Sequence, residues 1–273
     1  MRLPFRIGIY AGAGYLALCL MFYARQRKLI YYPEVRSETE SSSIAKTYKL
    51  LPWRSGNGEI RGWLRPAIGA VSQRWLIFHG NAGSALDREE YAAGLQKGDP
   101  HREVILVEYP GYDCRTGRPS EAALMADALG AAAEWAGHPE PLFLLGESLG
   151  GAVAVKTAAS MSGKIHGLIL LTPLPDLAAV GHHHFPWLPV RWMLKDRYAA
   201  REAAATLNIP AFFAIAGQDE VVPTQMGEAF YAAYPGLKAV WRDPAAGHNE
   251  IDGGPDGKWW PEAERLFAIV PGP

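Results

Sequence analysis

The pentapeptide Gly146-Glu147-Ser148-Leu149-Gly150 constrains this chain more than any other stretch, because of what stands on either side of it. Before it runs a short apolar segment, Pro141 to Leu145. After it, Gly151 to Ala159 reads as a helix rich in small residues. A strand that turns sharply into a helix through Gly-x-Ser-x-Gly lifts the serine hydroxyl clear of the sheet. The glycines leave room where neighbouring backbone crowds the turn. The pentapeptide alone is a common pattern, and its strand-and-helix setting gives it chemical meaning.

A serine hydroxyl is a weak nucleophile at neutral pH; it needs a base, and the base needs an acid to orient it. Around a turn of this kind the chain order is Ser, then Asp or Glu, then His. Ala211 to Gly217 reads as a buried strand with Gln218-Asp219-Glu220 at its carboxyl end. Asp219 is the candidate acid, and Glu220 is expected to be a solvated loop charge. Leu237 to Trp241 reads as the last strand, with Gly247-His248-Asn249 in the loop beyond it, so His248 is the candidate base. Negative charge developing on an acyl oxygen also needs donors. The N–H of Leu149, directly after the serine, is one candidate. The N–H of Asn81 is the other, because Trp75 to Phe78 reads as a strand running into His79-Gly80-Asn81-Ala82-Gly83. His79 precedes Ser148, the wrong order for the base, and is expected to fix this loop through hydrogen bonds.

The pieces His79-Gly80-Asn81-Ala82-Gly83, Tyr109-Pro110-Gly111-Tyr112, Gly117-Arg118-Pro119-Ser120-Glu121, Gly146 to Gly151, Gly217 to Pro223 and Gly247-His248-Asn249 together resemble the α/β-hydrolase superfamily over residues 45–270. Gln26 to Pro33 extends the resemblance to its membrane-anchored branch of serine hydrolases, α/β-hydrolase-domain proteins acting on lipids and acylated proteins. Asp113-Cys114-Arg115 stand where relatives usually carry glycine-rich residues. The resemblance implies cleavage of carboxylic esters or acyl thioesters through an acyl-enzyme, with no metal or organic cofactor. Two alternatives stay open. The same triad serves aminopeptidase-like serine peptidases, and the same fold serves catalytically silent scaffold proteins.

At 273 residues the chain suits one large domain, and 49 % hydrophobic residues argue against disorder. Lys and Arg total 27 against 28 for Asp and Glu, which leaves no electrostatic footprint for nucleic acid. From Ile7 to Tyr23 no residue is charged, whereas Arg2, Arg6, Arg25, Arg27 and Lys28 flank the run. It spans roughly 25 Å at ~1.5 Å per residue, and interfacial tyrosines and snorkelling basic side chains extend its reach. Residues 1–30 therefore read as a single-pass signal anchor whose orientation the balanced flanks leave open, with a buried or interfacial helix as the alternative. No small-x-small cleavage site follows, and the bulky Leu18 before Cys19 disfavours a lipoprotein box. With Cys19 in this segment, a disulfide to Cys114 is not expected.

Residues 31–43 read as a linker, polar from Glu34 onward, and 44–273 as the catalytic domain. Strands are expected at Ile44–Leu51, Glu59–Leu64, Trp75–His79, Val104–Glu108, Leu142–Leu145, Leu168–Leu171, Phe212–Ala216 and Ala239–Trp241, the first two joined by a hairpin at Gly56-Asn57-Gly58. Helical stretches fall near 84–97, 120–136, 149–161, 223–234 and 258–269. That alternation implies an α/β fold: a mostly parallel eight-stranded sheet, antiparallel at its start, with helices on both faces. Residues 173–201, irregular and rich in proline and aromatics, read as a small lid after the sixth strand. Phe185, Trp187 and Trp192 there are the candidate substrate-binding residues. His182-His183-His184 is not expected to hold metal, since adjacent side chains diverge. Asp127 and Glu134 read as solvated helix charges, and Trp259-Trp260 as packing.

Overall fold

Two strand segments are apolar at almost every position, and in the computed structural model, which describes residues 3–268, Leu142–Glu147 and Ala211–Ala216 are buried at every residue. Strands of that kind need cover on both faces. They belong to an eight-stranded sheet of β1 (Leu51–Arg54), β2 (Ile60–Arg65), β3 (Gln73–Phe78), β4 (Arg102–Val107), β5 (Leu142–Glu147), β6 (Ile165–Leu171), β7 (Ala211–Ala216) and β8 (Lys238–Asp243). Their spatial order is β1-β2-β4-β3-β5-β6-β7-β8, with β2 antiparallel to both its neighbours, β1 and β4, and every other pair parallel.

The helices are α1 (Leu3–Ile30), α2 (Glu38–Thr47), α3 (Glu89–Gly98), α4 (Glu121–Trp135), α5 (Leu149–Ser160), α6 (Leu177–His184), α7 (Val190–Met193), α8 (Ala200–Ala204), α9 (Thr224–Ala233) and α10 (Trp260–Ala268). Successive strand residues point to opposite faces, so each strand feeds two cores. Leu76, Leu144, Leu170 and Phe213 face α4, α5, α8 and α9. Ile77, Phe143, Ile169 and Phe212 face α3 and α10, where Trp75 and Phe143 stack at 4.8 Å and Phe267 closes on both edge-on. Trp259 and Trp260 are buried in this second core, stacked at 3.8 Å.

Residues 31–43 depart from the expected linker. Tyr32–Pro33 pairs in parallel with Ala82–Gly83, Val35 bridges to Asp113, and Ser37 and Glu40 form a capping box that starts α2. The helix runs through Ile44 to Thr47, so the expected strand at Ile44–Leu51 is replaced and β1 begins only at Leu51. Two buried residues of α2, Ser41 and Ala45, explain the change: the helix docks, with the Ser41 hydroxyl donating to Asp113 Oδ1 at 2.6 Å. Arg36 pairs with Asp87 and Asp113 from the same segment. Asp113 thus ties the N-terminal segment down, which accounts for its place where glycine would be usual. Asp127 also departs from the solvated reading, whereas Glu134 stays exposed as expected while serving as an acceptor. Arg115 holds Asp127 through two nitrogens at 2.7 and 3.1 Å, and Trp53 Nε1 donates to Glu134 at 2.8 Å.

Arg6–Ile30 of α1 is long and apolar enough to cross a membrane, with a mean hydropathy of 1.6 over its most apolar stretch. The 173–201 segment folds into α6, α7 and the start of α8, and the end of α1 packs against it.

Candidate active site

Ser148 occupies the turn between β5 and α5 with φ +52° and ψ −115°, a conformation L-residues rarely adopt. The surrounding backbone dictates it. A Cβ on Gly146 would lie 2.3 Å from the Gly150 carbonyl oxygen, and one on Gly150 would lie 2.0 Å from that of Phe78. Only glycine at both places lets α5 start so close to β3 and β5. The Ser148 N–H donates to Leu171 O of β6 at 2.9 Å, which fixes the turn against the neighbouring strand.

Asp219 and His248 come from the ends of β7 and β8. Those ends are cross-linked: Gly217 N–H donates to Asp243 O at 2.7 Å and Gln218 N–H to Ala246 O at 2.9 Å. Asp219 Oδ1 accepts the N–H groups of Val221 and Val222 at 2.9 and 2.8 Å, leaving Oδ2 to bond His248 Nδ1 at 2.7 Å. His248 Nε2 stands 2.8 Å from Ser148 Oγ. Three residues separated by up to 100 positions therefore form one hydrogen-bonded chain, with the Asp219 and His248 side chains only 3 % and 8 % exposed. Glu220 points to solvent. An arrangement of carboxylate, imidazole and hydroxyl in this order can move a proton off the hydroxyl while the carboxylate holds the imidazole tautomer.

Two loops complete the rim. Leu149 is the first residue of α5, so its N–H has no partner within the helix. Across from it, a Cβ on Gly80 would lie 3.8 Å from Ser148 Cβ, which brings the Gly80-Asn81 loop alongside the serine. The Asn81 carbonyl accepts Tyr32 N–H and the Tyr112 hydroxyl, and its side-chain amide donates to Ile30 O at 2.7 Å. His79 is buried behind the loop, with Nδ1 2.9 Å from Gly80 O and Nε2 3.1 Å from Glu108.

Sequence similarity identifies the family. Residues 75–271 match the signature of the alpha/beta hydrolase family. The chain belongs to that family. An uncharacterized protein of Mycobacterium tuberculosis is 34 % identical over 238 residues, 85 % of this chain and 83 % of the relative. The lysophosphatidylserine lipase ABHD12 of Danio rerio is 26 % identical over 198 residues, covering 66 % of this chain and 52 % of that protein. Among solved structures, the Pyrococcus furiosus esterase PF2001 superposes with a TM-score of 0.62 at 15 % identity, over 88 % of this chain and 97 % of that one. At that identity the likeness of this alpha/beta hydrolase to the esterase is one of fold.

Of the three lid aromatics, the structure brings one to a cavity. Phe185 lines an apolar groove of about 360 Å³ between α1 and the lid. Trp187 packs edge-on against Phe22 of α1 instead, and Trp192 is 90 % exposed. His184 Nε2 lies 2.9 Å from Val221 O, so one of the three histidines joins the lid to the loop after Asp219. His248 itself lines a separate polar cavity of about 160 Å³, together with Arg88, Glu90, Tyr91, Glu147 and Asn249. Arg88 pairs with Glu147, the residue before the nucleophilic turn's serine. Burial pushes the Glu90 carboxyl above its usual range, against the pull of Arg88. No sequence signal marks this pair, whose members lie 59 positions apart. The α2 helix, by contrast, was marked by Ser37-Glu38-Thr39-Glu40, a capping-box spacing.

Proposed function

We propose that this protein is a membrane-tethered serine hydrolase that cleaves carboxylic ester or acyl-thioester bonds. The observation that carries the proposal is the unbroken contact from Asp219 through His248 to Ser148. Ser148 Oγ attacks the acyl carbonyl while His248 Nε2 takes its proton. Asp219 keeps the Nδ1 proton in place and stabilises the imidazolium. The N–H groups of Leu149 and Asn81 receive the oxyanion, which collapses to an acyl-enzyme as His248 protonates the leaving group. Water, activated by the same imidazole, then releases the acid. The N-terminal helix is assigned the role of membrane tether on its length and hydropathy.

Labelling by a fluorophosphonate probe tests the proposal: wild-type protein is expected to label and Ser148→Ala is not. Folded wild-type protein that fails to label would favour a scaffold role. Turnover of p-nitrophenyl esters and acyl thioesters, measured beside aminoacyl-naphthylamides, separates an esterase from a peptidase. Preference for the amide with a free amino group would overturn the ester assignment.

A further inference from the structure

The loop from His79 to Gly83 takes its shape from residues far from it in the chain. Its regular structure is limited to the pairing of Ala82–Gly83 with Tyr32–Pro33. Its carbonyls are nevertheless engaged one after another. The Tyr109 hydroxyl donates to His79 O at 3.0 Å, and Gly80 O lies 2.9 Å from His79 Nδ1. Asn81 O accepts two donors, the Tyr32 N–H at 2.9 Å and the Tyr112 hydroxyl at 2.7 Å. Glu34 N–H donates to Gly83 O at 3.1 Å. A trans peptide sets the Asn81 N–H opposite the Gly80 carbonyl. With that carbonyl turned to the buried His79, the N–H faces away from it. Among the described residues this N–H has no acceptor.

Most of the outside partners belong to one segment, the junction between α1 and the catalytic domain. Ile30 closes α1, where the last carbonyls of a helix have no partner within it. Its carbonyl accepts the Asn81 side-chain amide at 2.7 Å. Beyond Ile30 the chain runs between two loops. On one side Tyr32–Pro33 pairs with Ala82–Gly83; on the other, Asp113 N–H donates to Glu34 O at 2.7 Å and Arg36 N–H to Asp113 O at 3.1 Å. The Tyr31 hydroxyl is buried against Asp196 and Tyr198. Three groups therefore grip Asn81: Ile30 O, the Tyr32 N–H and the fully buried Tyr112 hydroxyl. A flexible spacer between helix and domain would make none of these contacts.

We propose that Ile30–Glu34 is a positioning element for catalysis: together with Tyr112, it holds the Asn81 N–H at the place where the acyl oxygen gains charge. The proposal rests on the serine-hydrolase reading above and adds to it that the junction of the tether frames the oxyanion site. An oxyanion donor works only within about 2.7–3.1 Å of the developing charge. A misplacement on the order of 1 Å costs about 100-fold in rate. Ile30, Tyr32 and Tyr112 act through Asn81 and touch no substrate. The seating of α1 and the rate of turnover are thereby coupled, because whatever displaces residues 30–34 displaces the donor.

The test uses full-length protein in lipid nanodiscs and three substitutions that each leave the Asn81 N–H in place. Tyr32→Pro removes the backbone donor to Asn81 O. Asn81→Asp puts an acceptor where the amide donates to Ile30 O, and Tyr112→Phe removes the buried hydroxyl. Each is expected to lower kcat for a p-nitrophenyl ester by about tenfold to 100-fold, short of the ~100- to 1000-fold cost of deleting an oxyanion donor. KM should stay unchanged, because the lost interaction is made in the transition state alone. The matching thionoester, with C=S in place of C=O, separates positioning from general damage. Its sulfur accepts hydrogen bonds poorly, so each variant should lose as much of the wild-type ester-to-thionoester preference as it loses in kcat. Damage to the triad or the fold would slow both substrates alike. Tyr112→Phe, the most conservative change, decides the matter if the other two variants unfold. A folded Tyr112→Phe protein with wild-type kcat, or with lowered kcat and an unchanged preference, would overturn the proposal. Fluorophosphonate labelling of wild-type Ser148 would in that case keep the hydrolase reading; its absence would overturn both.

Discussion

Replacing Asp219 by Asn should abolish most activity without disturbing the fold, and the reason is visible in the hydrogen bonds around the carboxylate. Oδ1 accepts two backbone N–H groups, from Val221 and Val222, at 2.9 and 2.8 Å. An asparagine must put its carbonyl oxygen there, because an NH2 group facing two N–H donors would leave three donors with no acceptor between them. That orientation turns the NH2 toward His248 Nδ1, where Oδ2 now lies at 2.7 Å. The imidazole must then accept at Nδ1 and carry its proton on Nε2, the nitrogen 2.8 Å from Ser148 Oγ. A protonated Nε2 cannot take the serine proton. The wrong tautomer lowers kcat by roughly 10⁴-fold in serine proteases, equivalent to about 5 kcal/mol of transition-state stabilisation. Steady-state hydrolysis of a p-nitrophenyl ester measures the loss, and thermal unfolding should show a Tm close to wild type, since both backbone donors keep their acceptor. Asp219→Ala instead strands both N–H groups, at ~1–3 kcal/mol for each buried unsatisfied donor, so its Tm should fall. Asp219→Asn activity within about tenfold of wild type would refute the tautomer reasoning.

Gly150→Ala should cost activity through the backbone alone: its Cβ would lie 2.0 Å from Phe78 O, forcing the start of α5 to retreat. A misplacement on the order of 1 Å costs about 100-fold in rate, read as lost ester turnover in soluble, folded protein. Tyr31→Phe removes a buried hydroxyl that bonds both Asp196 and Tyr198. The expected loss is about 1–2 kcal/mol, roughly 2–8 °C in Tm by calorimetry. Cys114, pushed up to about 11 by burial and next by the Asp113 charge, should resist alkylation at neutral pH. A raised pKa means less thiolate below it, so the iodoacetamide rate in a Cys19→Ser background should climb about tenfold per pH unit until the pH nears that value.

Where local residue type and chain order carry the information, the sequence was explicit. Gly146 and Gly150 bracket a serine between an apolar run and a small-residue helix, and that local pattern determined the turn. Continuous apolarity in Leu142–Leu145 and Phe212–Ala216 determined strands covered on both faces, and hence the α/β class. The order Ser148, Asp219, His248 named three residues in advance. It could not set their separation, because each lies in a different loop and only the cross-links between the ends of β7 and β8 bring Asp219 under His248.

Tertiary structure decided the rest, for reasons of contact. Residues 34–43 looked like a linker because their polarity is satisfied by partners far along the chain, Asp113 and Asp87, that no local pattern displays. Trp192 looked like pocket lining, yet which side of a short lid helix faces inward depends on what packs beneath it, here Leu188 and Val190 against α1. A run of side chains fixes its own secondary structure through steric preference and periodic burial. How the N-terminal helix sits against the rest of the chain depends on long-range contacts such as Arg27 with Asp196 and Asn81 with Ile30, which exist only once the chain has closed on itself.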